Sequence, residues 1–106
     1  MSLRTLRVSK VWGQETWLVN EPEYCAKILL IYQGARGSLH YHPIKKETFI
    51  VQSGVIKLEK GNNEFVMNPA SDPVTLLPKT PHRLTGITDA TILEVSTHDD
   101  DADVIR

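Results

Sequence analysis

No window of eleven or more residues in this chain repeats its apolar positions at helical spacing; they come instead in alternation or in short blocks closed by glycine or proline. Such a chain has no helical stripe to bury, so its core must be built from strands. Lys27-Ile28-Leu29-Leu30-Ile31-Tyr32 runs into Gln33-Gly34, and branched and aromatic side chains of this kind suit a pleated surface. The same reading predicts strands over 48–52, 55–59, 64–67, 74–77 and 91–96. It places one tight hairpin at Ser53-Gly54 and a second at Lys60-Gly61-Asn62-Asn63. The expected class is all-β, as a small barrel or sandwich. Two pieces stand apart. Residues 1–20 form an N-terminal arm whose Lys10–Trp17 run reads as an edge strand, with Trp12 and Trp17 against the barrel wall. Residues 98–106 form an acidic tail, His98-Asp99-Asp100-Asp101-Ala102-Asp103 and onward, that reads as a solvated end.

Size and charge narrow the function. A chain of 106 residues with 41% hydrophobic content makes one domain, 1–106, and not two. Twelve Lys and Arg against thirteen Asp and Glu leave no field to gather nucleic acid or anionic lipid. The longest apolar run, 28–32, is too short to span a bilayer, and Met1-Ser2-Leu3-Arg4 lacks the long apolar stretch of a secretion signal. The lone Cys25 cannot form an internal disulfide and suits a reducing compartment, so the expected location is the cytoplasm.

Three of the four histidines fall where they can act together. On a strand, His40 and His42 point to one face roughly 7 Å apart. Glu47 follows across the turn-like Pro43-Ile44-Lys45-Lys46, and His82 comes from a distant strand after Pro78-Lys79-Thr80-Pro81. Three imidazoles and one carboxylate suit a single divalent first-row ion, Mn, Fe, Ni, Co or Zn, with a position left for water or substrate. Without an ion, the same groups would be stranded in an apolar barrel at a cost of a few kcal/mol each.

The run Gly34, five residues, His40-x-His42, four residues, Glu47, six residues, Gly54 matches in full the first motif of the cupin superfamily. The second cupin motif is matched in part, at Thr80-Pro81-His82-Arg83-Leu84, with Lys79, Leu77 and Gly86 departing from the usual residues. The resemblance implies a double-stranded β-helix, the jelly-roll barrel of the cupins. Several segments also resemble the cupin domain of type II phosphomannose isomerases and related small aldose isomerases. They are Lys10-Val11-Trp12-Gly13-Gln14-Glu15, Gly37-Ser38-Leu39-His40-Tyr41-His42, Glu47–Gly54, Pro81–Leu84, and Leu93-Glu94-Val95-Ser96-Thr97 with the acidic stretch after it. Those domains continue into a Tyr-Gly-Arg segment that does not follow Arg106 here.

This resemblance implies a metal-dependent sugar or sugar-phosphate isomerase acting through an enediol, with His40, His42, Glu47 and His82 holding the metal. A base must reach C2 of the open-chain sugar. Lys27 and Glu94 are the catalytic candidates, each a charge on an otherwise apolar strand. Arg36, Lys46 and Arg83 are candidate substrate contacts for a phosphate or hydroxyls, and Tyr41 is a further polar candidate for the pocket. Two alternatives remain: a metal-dependent dioxygenase, which uses the same ligand set around an apolar pocket, and a non-catalytic binding module. The expected partners are a small-molecule substrate and a second copy of the chain, with Trp12 and Trp17 at the contact of a homodimer; neither nucleic acid nor membrane is expected.

Overall fold

Alternation of inward and outward side chains builds the molecule. The computed structural model describes residues 6–106, so the first five residues of the expected arm lie outside the described residues. Nine strands form, all paired antiparallel: β1 (Leu6–Lys10), β2 (Gly13–Asn20), β3 (Cys25–Ile31), β4 (Glu47–Ser53), β5 (Ile56–Lys60), β6 (Asn63–Met67), β7 (Val74–Leu76), β8 (His82–Gly86) and β9 (Ala90–Ser96). They make a six-stranded sheet in the order β1-β2-β3-β9-β4-β7 and a three-stranded sheet in the order β6-β5-β8. Isolated bridges from Arg36 to Thr85 and from His40 to His82 extend the smaller sheet beyond β8. This all-β jelly-roll architecture is the one expected from the sequence. No helix among the described residues is long and apolar enough to cross a membrane.

In β3, β4 and β9 every second residue is buried, so these strands turn one face to the barrel interior. Leu29, Ile31, Phe49, Val51, Ile56, Leu58, Met67, Leu76, Ala90 and Ile92 form one apolar cluster at one end of the barrel. Removing each large side chain of that set from water stabilises the fold by about 2 kcal/mol. At the other end the same inward positions carry Lys27, Glu47, His82 and Glu94, all buried. The strand pattern therefore makes an apolar floor and a polar interior above it.

Three expectations change. Lys10–Trp17 is not one edge strand: the chain turns at Val11-Trp12, β1 alone is the edge, and β2 lies between β1 and β3. Ser53-Gly54 is not a hairpin, because β4 and β5 belong to different sheets. Gly54 instead turns the chain from one sheet to the other with φ of 78°, and a Cβ there would lie 2.1 Å from the Asp89 carbonyl oxygen. The Gly61-Asn62 hairpin forms as expected between Lys60 and Asn63. The distant strand expected to carry His82 forms as β8, which pairs with β5. The acidic tail is not a frayed end: Asp103 is buried, and Ile105 pairs with Tyr41.

Candidate metal centre

The polar end of the barrel encloses a cavity of about 370 Å³, lined by His40, His42, His82, Glu47, Lys45, Lys27, Glu94 and Asp99 in its depth. Trp12, Trp17, Glu15, Lys10, Asp100, Asp101 and Arg106 also line it. The interior residues arrive from β3, β4, β8 and β9, from the segment between β3 and β4, and, for Asp99, from the tail after β9.

His40, His42 and His82 each offer a ring nitrogen within 4.8 Å of the others. His40 and His42 are not on a regular strand as expected. His40 lies in an isolated bridge whose backbone exchanges two hydrogen bonds with His82, from His40 N–H to His82 C=O (3.1 Å) and back (2.8 Å). That bridge fixes the spacing of the two imidazoles, whose ring centroids are 4.6 Å apart.

Each ring is oriented from behind by a backbone carbonyl. Nδ1 of His40 faces the Ser38 carbonyl at 3.0 Å, Nδ1 of His42 the Asp103 carbonyl at 2.7 Å, and Nδ1 of His82 the Thr80 carbonyl at 2.9 Å. A carbonyl can only accept, so each Nδ1 carries a proton and each Nε2 is the atom turned towards the cluster. Burial, and then His82, hold the pKa of His40 down to about 4; burial and the Lys45 charge also lower that of His42. Neutral imidazole is the form that binds a metal.

Glu47 completes the set. Its Oε1 is 3.1 Å from His82 Nε2 and its Oε2 is 3.5 Å from His42 Nε2. Burial opposes its ionisation, but the His82 hydrogen bond and the Lys45 charge outweigh that and lower its pKa to about 2. Oε2 lies 3.0 Å from Lys45 Nζ, yet no hydrogen bond reaches it, so one buried carboxylate oxygen remains unsatisfied. Three imidazole Nε2 atoms beside a buried carboxylate whose Oε2 accepts no hydrogen bond are a donor set that fits a divalent first-row cation.

Beside this set lies a chain of buried charges. Lys45, buried, reaches Glu47 (3.0 Å), Glu94 (3.3 Å) and Asp99 (3.4 Å), and Asp99 also pairs with Lys27. Lys27 lies 3.9 Å from Glu15, and its ammonium sits 3.8 Å from the Trp17 ring centre. Burial, and then the Glu47 charge, push the Glu94 carboxyl up against the opposing pull of Lys45 and Lys27. Burial would lower Lys45, but Glu94, Glu47 and Asp99 raise it, so it remains charged. Asp99 is lowered by Lys45 and Lys27 against the opposing effect of burial.

The structure brings His40, His42, Glu47, His82, Lys27 and Glu94 to one cavity. Arg36, Tyr41, Lys46 and Arg83, expected as substrate contacts, do not line it. Alternation explains two of them. His82 and Leu84 face in, so Arg83 faces out and pairs with Glu59 at 2.7 Å; Lys45 and Glu47 face in, so Lys46 is exposed. Arg36 is exposed in its bridge to Thr85, and Tyr41 pairs with Ile105. Trp12 and Trp17, expected at a dimer contact, line the cavity. Sequence reasoning passed over Lys45, Asp99 and Asp103. For Lys45 a signal existed, since it stands two residues before Glu47 and shares its face.

The sequence matches no known family model and no functionally described protein. The fold does have solved counterparts. An RmlC-like cupin from Shewanella frigidimarina is 18% identical, with a TM-score of 0.80 over 93% of this chain and 88% of that one. The nucleoside dehydratase Pac13 from Streptomyces, solved with uridine, is 16% identical, with a TM-score of 0.82 over 95% of this chain and 82% of that one. The capsular polysaccharide assembling protein CapF from Staphylococcus aureus is 20% identical, with a TM-score of 0.82 over 98% of this chain but 32% of that longer one. At these identities the likeness is one of fold: the two antiparallel sheets of this chain superpose on a small cupin barrel.

Proposed function

We propose that this chain is a metal-dependent enzyme that moves a proton on a polyhydroxylated small molecule, an isomerase of a sugar or sugar phosphate acting through an enediol. The observation that carries the reading is Glu94, a buried carboxyl with a raised pKa in the same cavity as three clustered imidazoles. A base tuned upward by burial, close to a Lewis-acid site, is what proton abstraction beside a carbonyl requires. His40, His42, Glu47 and His82 would hold the metal, which when bound supplies stabilisation of developing negative charge on oxygen.

The residues of the chain perform the proton transfer. Glu94 accepts the proton from C2 of the open-chain aldose as the C1–C2 double bond forms. The same carboxyl returns a proton to C1, and the hydroxyl proton passes from O2 to O1, so the ketose is formed with no net gain or loss. Lys45, 3.3 Å from Glu94, remains charged and steadies its carboxylate form. Lys27 is the weaker candidate for the base, because its ammonium is held by Asp99 and by the Trp17 face.

A dioxygenase of this ligand set calls for apolar walls; here Leu29, Ile31, Phe49 and Leu84 share the lining with the buried charges Lys45, Glu94 and Asp99, and those charges favour a hydroxylated ligand. A purely binding module leaves Glu94 without a task. Fold counterparts whose names refer to capsular polysaccharide assembly and to a nucleoside support a hydroxylated ligand. The test is to incubate the metal-loaded protein with a panel of aldoses in deuterated water. Ketose carrying deuterium, lost in Glu94→Gln, is the expected result; oxygen uptake on a diketone or flavonol panel, with no ketose, overturns the reading.

A further inference from the structure

We infer that Lys45 is an internal competitor of the metal for Glu47: its ammonium holds this carboxylate whenever no ion does, and so sets how firmly the barrel keeps its ion. Of the four proposed ligands Glu47 alone is a carboxylate, so whatever answers its charge governs the affinity of the set. Lys45 stands two residues before it, and both line the cavity. Lys45 Nζ lies 3.0 Å from Glu47 Oε2, nearer than to the other two carboxylates it reaches, Glu94 at 3.3 Å and Asp99 at 3.4 Å. That same Oε2 is 3.5 Å from His42 Nε2 and accepts no hydrogen bond. The carboxylate oxygen free to join the imidazoles is therefore the one beside the ammonium.

An ion on Oε2 would share that oxygen with a fixed positive charge. At a surface, water and salt would screen the two cations from each other. Here the Lys45 and Glu47 side chains are only 4% and 2% exposed, so the repulsion acts at close range with little screening. Lys45 can nevertheless yield, because Glu94 and Asp99 remain as its partners. Asp99 is itself held in place: its backbone exchanges two hydrogen bonds of 3.0 Å with the Asn20 side chain, and its carboxylate also pairs with Lys27. Loading the site is then an exchange of counter-charges on Glu47, with a dication taking the place of an ammonium that keeps two other carboxylates. The ion is bound less tightly than the same ligands would bind it without Lys45, and it is released more readily.

The experiment is chelator competition for cobalt on the full chain, a readout that involves no turnover and so stands apart from the isomerase reading. Lys45→Met is expected to bind cobalt at least tenfold more tightly than the parent, whereas mere structural damage at this position would loosen the ion. Lys45→Gln keeps a donor for the carboxylates without the charge; it should shift affinity in the same direction, and it decides alone if Lys45→Met does not fold. The gain should run through the shared carboxylate, shrinking at least threefold when both proteins also carry Glu47→Gln. Visible absorption of bound cobalt should match between parent and Lys45 variant, since charge has changed and the ligands have not. Unchanged or weaker binding in Lys45→Gln overturns the inference, as does a gain of equal size with Glu47→Gln in place or a cobalt spectrum that reports a rearranged site.

Discussion

His42 and Asp103, 61 residues apart, are joined by a hydrogen bond from the His42 ring to the Asp103 backbone. The His42 Nδ1–H donates to the Asp103 carbonyl at 2.7 Å, while the Asp103 carboxylate accepts the N–H groups of Ile44 at 2.9 Å and Lys45 at 2.8 Å. One buried residue thus orients an imidazole of the histidine cluster and also holds the loop that carries Lys45.

Asp103→Ala leaves two backbone N–H groups without their acceptor and loosens the carbonyl behind His42. We expect a loss of about 1–3 kcal/mol in unfolding free energy and a roughly 10–100-fold weaker metal affinity. Denaturant titration and competition with a chelator measure the two separately; unchanged metal affinity would show that the orientation of His42 does not depend on this contact.

Metal content tests the ligand set directly. Reconstituted protein should hold about one divalent ion per chain, whereas His42→Ala and Glu47→Ala should lose most of it after dialysis. Elemental analysis reads the stoichiometry, and an unchanged value in either variant would mean that the ligands are misassigned.

Glu94→Gln should separate activity from stability. A carboxyl raised by burial is destabilising once the pH exceeds its unfolded value, since the folded state resists its ionisation. The amide has no charge to bury. At pH 7–8 the metal-free variant should melt roughly 2–5 °C higher while losing solvent exchange at C2; a lower melting temperature would show that the Glu94–Lys45 pair is net stabilising.

Lys45→Met removes the cation shared by three carboxylates, Glu47, Glu94 and Asp99. The expected cost in the metal-free protein is about 3–5 kcal/mol at pH 7. It should shrink on acidification as the stranded carboxylates take up protons. Urea denaturation at pH 7 and pH 5 compares the two, and a cost that does not change with pH would point to packing rather than charge.

Acid should weaken the metal-free barrel in two steps. His40 falls from 6.5 to about 4 on folding, so the unfolded chain binds the proton first and stability drops as pH falls through that interval. Glu47, lowered from 4.5 to about 2, contributes stability present above 4.5 and lost as pH falls towards 2. A thermal melt series from pH 7 to pH 3 should show the decline starting near pH 6; His40→Gln should flatten its upper part.

Where side chains alternate, the fold could be read from the residues. Leu29, Ile31, Phe49, Val51, Ile56 and Leu58 sit on inward positions of strands that their own pattern announces. His40, His42, Glu47 and His82 were legible because their residue types and spacing have few other uses. Lys45 was not singled out in favour of Lys46, although one step of alternation decides between buried and exposed. Asp99 and Asp103 carried no local sign at all: a run of aspartates reads as solvated until Lys27, Lys45 and the Ile44 and Lys45 N–H groups are seen waiting for it. The hairpin expected at Ser53-Gly54 failed for a related reason. Local turn chemistry indicates where a chain bends, while the choice of partner strand is made by distant residues.

The bridge between His40 and His82 also bears on the order of events in folding. Those two residues meet only after the chain between them, which includes β4 to β7, has found its place in both sheets. Their contact is therefore non-local and costly in loop entropy, of the kind that forms late. Capture of a divalent ion by this cluster is then expected only of the finished barrel, and the rate at which refolding protein takes up cobalt would time the final closure of the two sheets.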